Sequence, residues 1–337
     1  MTAADPALTA AEPGLTALHG LLARRGVDLP SAAGAEEALD EVWERHPFAL
    51  AAAVTEQLHG VLPLLDAFPA AAEVVDGVRT GRLTATLGLF TPNALFSLAA
   101  PAVLGTEQDG RVLLHGRYRY ATEGADLAVV GVLLDGETRL ALVRHDAAGV
   151  RLRGAGRSAG WGWAELDGAV LDPAELSRPV DRSDGGPLTA ALDRFAWAFS
   201  RRAVAWPARV VADLRRVLAT TGEGVAALST SQYLAHELSR LEIEVSLAAA
   251  AARLGPGFKA EAAGGRSALA VLLSCVDLLH RAARVAEDLA TELGLEHSPA
   301  DAADWPADAL QAYFGGRRVV ENELARRMGL VPEAVGG

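Results

Sequence analysis

Apolar residues recur at helical spacing on both sides of a central stretch in which the period shortens and Asp-Gly and Gly pairs intervene. A chain with that pattern must fold as helices around a separate β region, because a 3.6-residue stripe and a two-residue alternation cannot serve the same element. From Glu36 to about Thr80, Leu39, Val42 and Trp43 share one helical face, and Leu58, Val61, Leu64 and Leu65 follow at helical spacing. His46-Pro47 marks a break between two of these helices, since the residue before proline avoids the α region.

Between about Leu83 and Val180 the strongest strand candidates are Arg111–Gly116, Leu127–Leu134 and Arg139–Val143. Asp135-Gly136 supplies a hairpin turn between the last two. A small antiparallel barrel or sandwich is the natural reading. Helices return from Pro187 and are long. Leu234, Leu238, Leu241 and Val245 form one stripe, Leu269, Leu272, Val276 and Leu279 another, and both read as bundle core. A last helix is expected over Arg317–Met328, entered from Gly315-Gly316. The fold class is therefore α+β: residues 1–82 as an N-terminal helical domain, 83–180 as a central antiparallel β domain and 181–337 as a C-terminal four-helix bundle.

A formal net charge of -12, with no basic run, excludes nucleic acid as a natural partner. The single cysteine, Cys275, lies in an apolar run and reads as a buried thiol, and one cysteine permits no intrachain disulfide. With neither a leader-like segment nor an apolar stretch of membrane-spanning length in this reading, the expectation is a cytoplasmic protein without a membrane partner. Walker, Rossmann and zinc-ligand spacings are also missing from it.

Three separated segments resemble the acyl-CoA dehydrogenase family, in the order that family has them. The first, Asp109 to Asp126, is similar to the strand pair "dGxxxLxGxKxWITxGxxAD". The second, Leu228 to Leu238, is similar to the "LxxFQxxxxxLADM" start of a long bundle helix. The third, Tyr313 to Leu330, is similar to the ending "xxGGTxEIxRNxIARRxLGL". The resemblance spans roughly residues 36–332, and it implies the fold described above, FAD as cofactor and α,β-desaturation of an acyl thioester. It places Tyr120 against the flavin ring and the Thr122 hydroxyl at the N5 edge.

The resemblance also shows what has changed. Desaturation needs a carboxylate to remove the α-proton and the flavin N5 to accept the β-hydride. The family's "YEGT" carboxylate falls on Phe314-Gly315-Gly316-Arg317, so Gly315 replaces the base. A second family location, "LER" on the first bundle helix, aligns with Leu192-Asp193-Arg194 and makes Asp193 the candidate base. The loop "TEPxxGSD" appears as Thr91-Pro92-Asn93-Ala94-Leu95-Phe96-Ser97, in which Thr91 alone matches. The arginine of "RxQFG" is missing near Thr220–Gly224, which removes a charged hydrogen bond worth about 1.5–3 kcal/mol toward the pyrophosphate. Arg317, beside Gly315 and Gly316 at the start of the last helix, is the candidate replacement.

The function implied is that of an acyl-CoA dehydrogenase-like protein acting on an acyl thioester of coenzyme A or a carrier protein. It would be the incomplete subunit of a heteromer with a homologous chain, or a homo-oligomer. The competing reading is a flavin-free cyclase, isomerase or binding scaffold on the same fold.

Overall fold

A computed structural model describes residues 13–26, 28, 34–89, 101–122, 124–154, 161–181, 186–220, 232–254, 266–292, 294–295 and 309–330. These residues fall into two compact units, 1–195 with 308–337 and 196–307.

The first unit opens with helices α1 (Pro13–Arg24), α2 (Ala35–Arg45) and α3 (Phe48–Thr55). The break foreseen at His46-Pro47 is there: His46 is extended at φ -121° and ψ 160°, and Pro47 caps α3. Trp43 Nε1 donates to Thr55 Oγ1 at 2.9 Å and joins α2 to α3. The same run continues as a π-helical segment (Glu56–Val61) and a 3-10 segment (Leu62–Ala67), then α4 (Ala72–Arg79) follows. Pro63 lies in the first turn of the 3-10 segment, where a missing N–H is tolerated. The whole stretch Phe48–Ala67, 20 residues, is apolar and long enough to cross a membrane by composition, which corrects the reading that no such stretch exists. It is 67% buried within the protein, as a core helix would be.

Among the described residues seven strands follow: β1 (Ala85–Gly88), β2 (Val103–Gln108), β3 (Arg111–Tyr120), β4 (Leu127–Leu134), β5 (Glu137–Arg144), β6 (Val150–Gly154) and β7 (Gly162–Leu171). All three strand candidates appear. Asp135 and Gly136 have φ of 50° and 79°, the double positive pair of a tight hairpin, so Leu134 pairs with Glu137 across the turn.

The sheet is mixed where the sequence reading had an antiparallel one. β2–β3, β3–β7, β6–β7 and β4–β5 are antiparallel, but β1 and β2 both run parallel to β4, one after the other along the same edge. The alternation of apolar residues reports which face is buried and is silent on strand direction. β4 is buried along nearly its whole length, as expected of a strand flanked on both edges and covered on both faces. The inward faces of β3, β4, β5 and β7 meet in one core that includes Val112, Tyr118, Val130, Val143 and Leu166.

Four long helices come next: α5 (Pro187–Ala203), α6 (Ala205–Thr220), α7 (Gln232–Leu254) and α8 (Arg266–Glu292). In the second unit the end of α5 packs with α6, α7 and α8. Leu241, Val245, Leu269, Leu272, Val276 and Leu279 are buried as expected, Leu238 is half-buried, and the side chain of Leu234 lies outside the described residues; each full burial stabilises by about 1.5–3 kcal/mol. Arg281 of α8 reaches Glu237 and Glu244 of α7 at 3.3 and 2.5 Å. The short helices α9 (Ala309–Phe314) and α10 (Arg317–Arg327) belong to the first unit.

Candidate functional site

The π-helical segment begins with a carboxylate. Glu56 is the first residue of the segment, has αR backbone at φ -58° and ψ -48°, and keeps the four-residue spacing of the buried Phe48 and Ala52, so it is fully buried as well. Glu56 Oε1 accepts the Leu87 N–H at 3.0 Å, both carboxylate oxygens lie 3.0 Å from the Thr86 hydroxyl, and Oε2 accepts the Thr122 hydroxyl at 2.9 Å. Thr86 Oγ1 in turn accepts the Ala121 N–H at 3.3 Å. Helix, β1 and the segment after β3 are thus tied at one point. Removal from water dominates over these three hydrogen bonds and raises the Glu56 pKa to about 7.

Sequence reading missed Glu56. The available signal was an acidic residue in the middle of a 20-residue apolar run, which is a costly place for a charge unless it is bonded. Gln57, beside it, is also buried and reaches the Val78 and Leu83 carbonyls and the Ala85 N–H.

Of the residues singled out from sequence, Thr122 is buried and its hydroxyl hydrogen goes to Glu56. Tyr120 is 6% exposed, belongs to the sheet core and lies 5.5 Å from the His145 ring. Gly162, paired with it across β7, leaves room for its hydroxyl, because a Cβ there would stand 2.6 Å from that oxygen. The resemblance set Tyr120 and Thr122 against one ligand; β3 ends at Tyr120, so strand alternation does not govern Thr122. Gly315 and Gly316 are buried, with φ of 75° and 103°. They form the left-handed entry to α10 that other residues would strain. Arg317 is exposed and pairs with Glu321 one turn on, at 2.6 Å. Thr91 and the rest of its loop lie outside the described residues.

Asp193 sits on α5 and is claimed by α10. Arg327, 2% exposed in its side chain, meets Asp193 at 2.6 Å and Glu323 at 2.8 Å. Glu323 also holds Arg326 at 2.8 Å. The carboxylate therefore acts as counter-charge to a buried guanidinium. Phe195, two residues on, stacks on Phe314 at 4.7 Å and meets Tyr313 edge-on at 6.2 Å. Tyr313, fully buried, feels the Glu56 charge, and burial first and that charge second raise its pKa. Glu56 is thus close to the segment in which the resemblance expects a carboxylate at position 315.

These observations test the fit to flavin. Among the described contacts, Thr122 retains lone pairs that nothing else engages, while Tyr120 is turned into the sheet core and Arg317 toward Glu321. Of the expected set, Thr122 is thus the residue among those described through which a flavin would be held.

No protein-family profile and no curated protein sequence matches the chain. Solved structures do. Butyryl-CoA dehydrogenase from Megasphaera elsdenii is similar at 15% identity and a TM-score of 0.68, over 93% of this chain and 88% of that one. A glutaryl-CoA dehydrogenase from Mycobacterium smegmatis, in complex with FADH2, is similar at 17% identity and 0.65, over 96% and 86%. FkbI, for biosynthesis of the methoxymalonyl extender unit of a polyketide immunosuppressant, is similar at 17% identity and 0.67, over 96% and 92%.

Proposed function

We propose that this chain, which has the acyl-CoA dehydrogenase-like fold, is the incomplete subunit of a heteromeric flavoprotein acting on an acyl thioester of coenzyme A or a carrier protein. The observation that supports it is the state of the two base positions. Gly315 has no side chain to offer, and Asp193 is held by Arg327. A base must stand within about 3 Å of the α-proton with a lone pair free, and a positioned base is worth about 10² to 10⁴ in rate. A homologous partner would supply that carboxylate. FAD, when bound, supplies the hydride acceptor. This chain's own contribution is Thr122, whose hydroxyl is fixed in place by Glu56, and the buried Phe195–Tyr313–Phe314 cluster, which keeps water from that side.

The second reading is a flavin-free member, a cyclase, an isomerase or a scaffold. The packing of Tyr120 into the sheet core favours it. One experiment separates the two: record the visible absorbance of the purified chain alone and co-expressed with a homologue, then assay both with acyl-CoA substrates and an artificial electron acceptor. The heteromer reading expects flavin and turnover with the partner only. Turnover of about 1 to 10³ per second by the isolated chain would defeat it, and no flavin in either sample would favour the second reading.

A further inference from the structure

A fully buried carboxylate in an apolar helix needs more than packing to account for it. Every contact of Glu56 among the described residues comes from a neutral donor: the Thr86 hydroxyl and Leu87 N–H from β1, and the Thr122 hydroxyl after β3. From α9, Tyr313 faces it and is itself held neutral by burial, while Arg25, just after α1, acts on Tyr313. On its own segment His59 turns to Glu36, at 3.2 Å. No cation among the described residues is paired with Glu56. A charge supported by neutral dipoles alone competes closely with its protonated form.

The two forms leave Thr122 in different states. A hydroxyl has one hydrogen and two lone pairs. An ionised Glu56 can only accept, so the Thr122 hydrogen points to Oε2 and Thr122 presents lone pairs elsewhere. A protonated Glu56 can donate from Oε2 to Thr122 Oγ1, and the Thr122 hydrogen then swings free.

We propose that Glu56 is the positioning residue of Thr122, deciding by its own protonation whether Thr122 would offer a hydrogen or only lone pairs to a ligand bound at its hydroxyl. The inference rests on the reading above that this ligand is a flavin. The proton comes from solvent onto Oε2, one O–H turns, and no other bond changes. The N5 edge of an oxidised flavin accepts a hydrogen bond, whereas the reduced ring donates one from N5–H. Protonated Glu56 therefore suits the oxidised cofactor and ionised Glu56 the reduced one.

The test uses the full chain, with its homologous partner if that is needed for assembly, and FAD as probe. Oxidised FAD should bind about tenfold more tightly at about pH 5.5 than at about pH 8.5, the worth of one neutral hydrogen bond. Glu56→Gln, whose amide donates permanently toward Thr122, should bind tightly at both. Thr122→Val should bind weakly at both, and Thr122→Ser should restore the wild-type profile. The same pH profile in wild type and Glu56→Gln would overturn the proposal with the flavin reading intact. Should no sample bind FAD, that reading fails, and infrared spectroscopy of the ligand-free chain decides the clamp separately. A carboxylic C=O band should titrate near neutral pH and shift in Thr122→Val, which remains available if Glu56→Gln does not fold. An unshifted band in Thr122→Val would overturn the clamp as well.

Discussion

Thr122 gives its hydroxyl hydrogen to Glu56 across 66 positions of sequence, Oγ1 to Oε2 at 2.9 Å. Burial of that carboxylate couples folding to pH, because desolvation outweighs this and its other hydrogen bonds and raises the pKa from 4.5 to about 7. Because the folded protein binds that proton more tightly than the unfolded chain, the group's contribution is full below pH 4.5 and is lost as pH rises through about 7. The shift corresponds to about 3 kcal/mol. Denaturant unfolding should show wild type losing stability across that window, with Glu56→Gln much flatter. Equal slopes for the two proteins would remove Glu56 as the cause.

Why Glu56 escaped sequence reading is a matter of geometry. The stripe of Leu58, Val61, Leu64 and Leu65 assumed an α-helix, and Leu58, Val61, Leu64 and Leu65 are indeed buried. Glu56 lies on the face of Phe48 and Ala52, both buried, which a stripe begun at Leu58 does not include. Local signals did show through. Asp135-Gly136 makes its hairpin, His46-Pro47 breaks its helix, and Leu241 and Leu269 point into their bundle. Strand direction did not, because β1 and β2 meet β4 through tertiary pairing alone. Asp193 shows the same limit: its family position is readable, but Arg327 lies 134 residues away.

Replacing Asp193 with Asn leaves Arg327, whose side chain is 2% exposed, with Glu323 as its remaining counter-charge. Removing one partner of a buried ion pair leaves the other charge poorly compensated. Because Glu323 remains and Asp193 is partly exposed, the expected loss is roughly 2 kcal/mol. Thermal unfolding at neutral pH checks this. Restoration of stability in Asp193→Asn with Arg327→Met would tie the loss to the stranded guanidinium.

Cys275 should be inert in the native protein. It is fully buried, its sulfur lies 3.8 Å from the Ser200 carbonyl oxygen, and burial pushes its pKa up to about 12. Thiolate is the reactive form, so a thiol reagent at about pH 8 should label it only after denaturant is added. Labelling at the rate of a free thiol without denaturant would contradict the packing.

The Tyr118 hydroxyl is buried without a hydrogen-bond partner among the described residues, while the ring stacks near His145 at 6.2 Å. Leaving a polar group unsatisfied in the core costs about 1–3 kcal/mol. Tyr118→Phe should therefore keep or raise stability, by about 1 kcal/mol. A clear loss in an unfolding titration would mean that the hydroxyl is bonded in solution.

The last prediction concerns Arg119, which is 2% exposed and lies between two indoles, 4.7 Å from the Trp161 ring and 4.9 Å from the Trp163 ring. β3 and β7 bring it there, since Arg119 pairs directly with Trp163, and Trp161 stands edge-on to Trp163 at 5.3 Å. Burial lowers its pKa to about 10, so the guanidinium stays charged at neutral pH. A flat, weakly hydrated cation loses less on leaving water than an ammonium does and can stack on both rings. Desolvated cation–π contacts of this kind are worth about 2 kcal/mol. A double-mutant cycle between Arg119→Met and Trp163→Leu should give a coupling of about 1–2 kcal/mol. Arg119→Lys should recover only part of the wild-type stability, because an ammonium retains charge but loses the planar stacking. A coupling near zero, with Lys equal to Arg, would reduce the pair to ordinary packing.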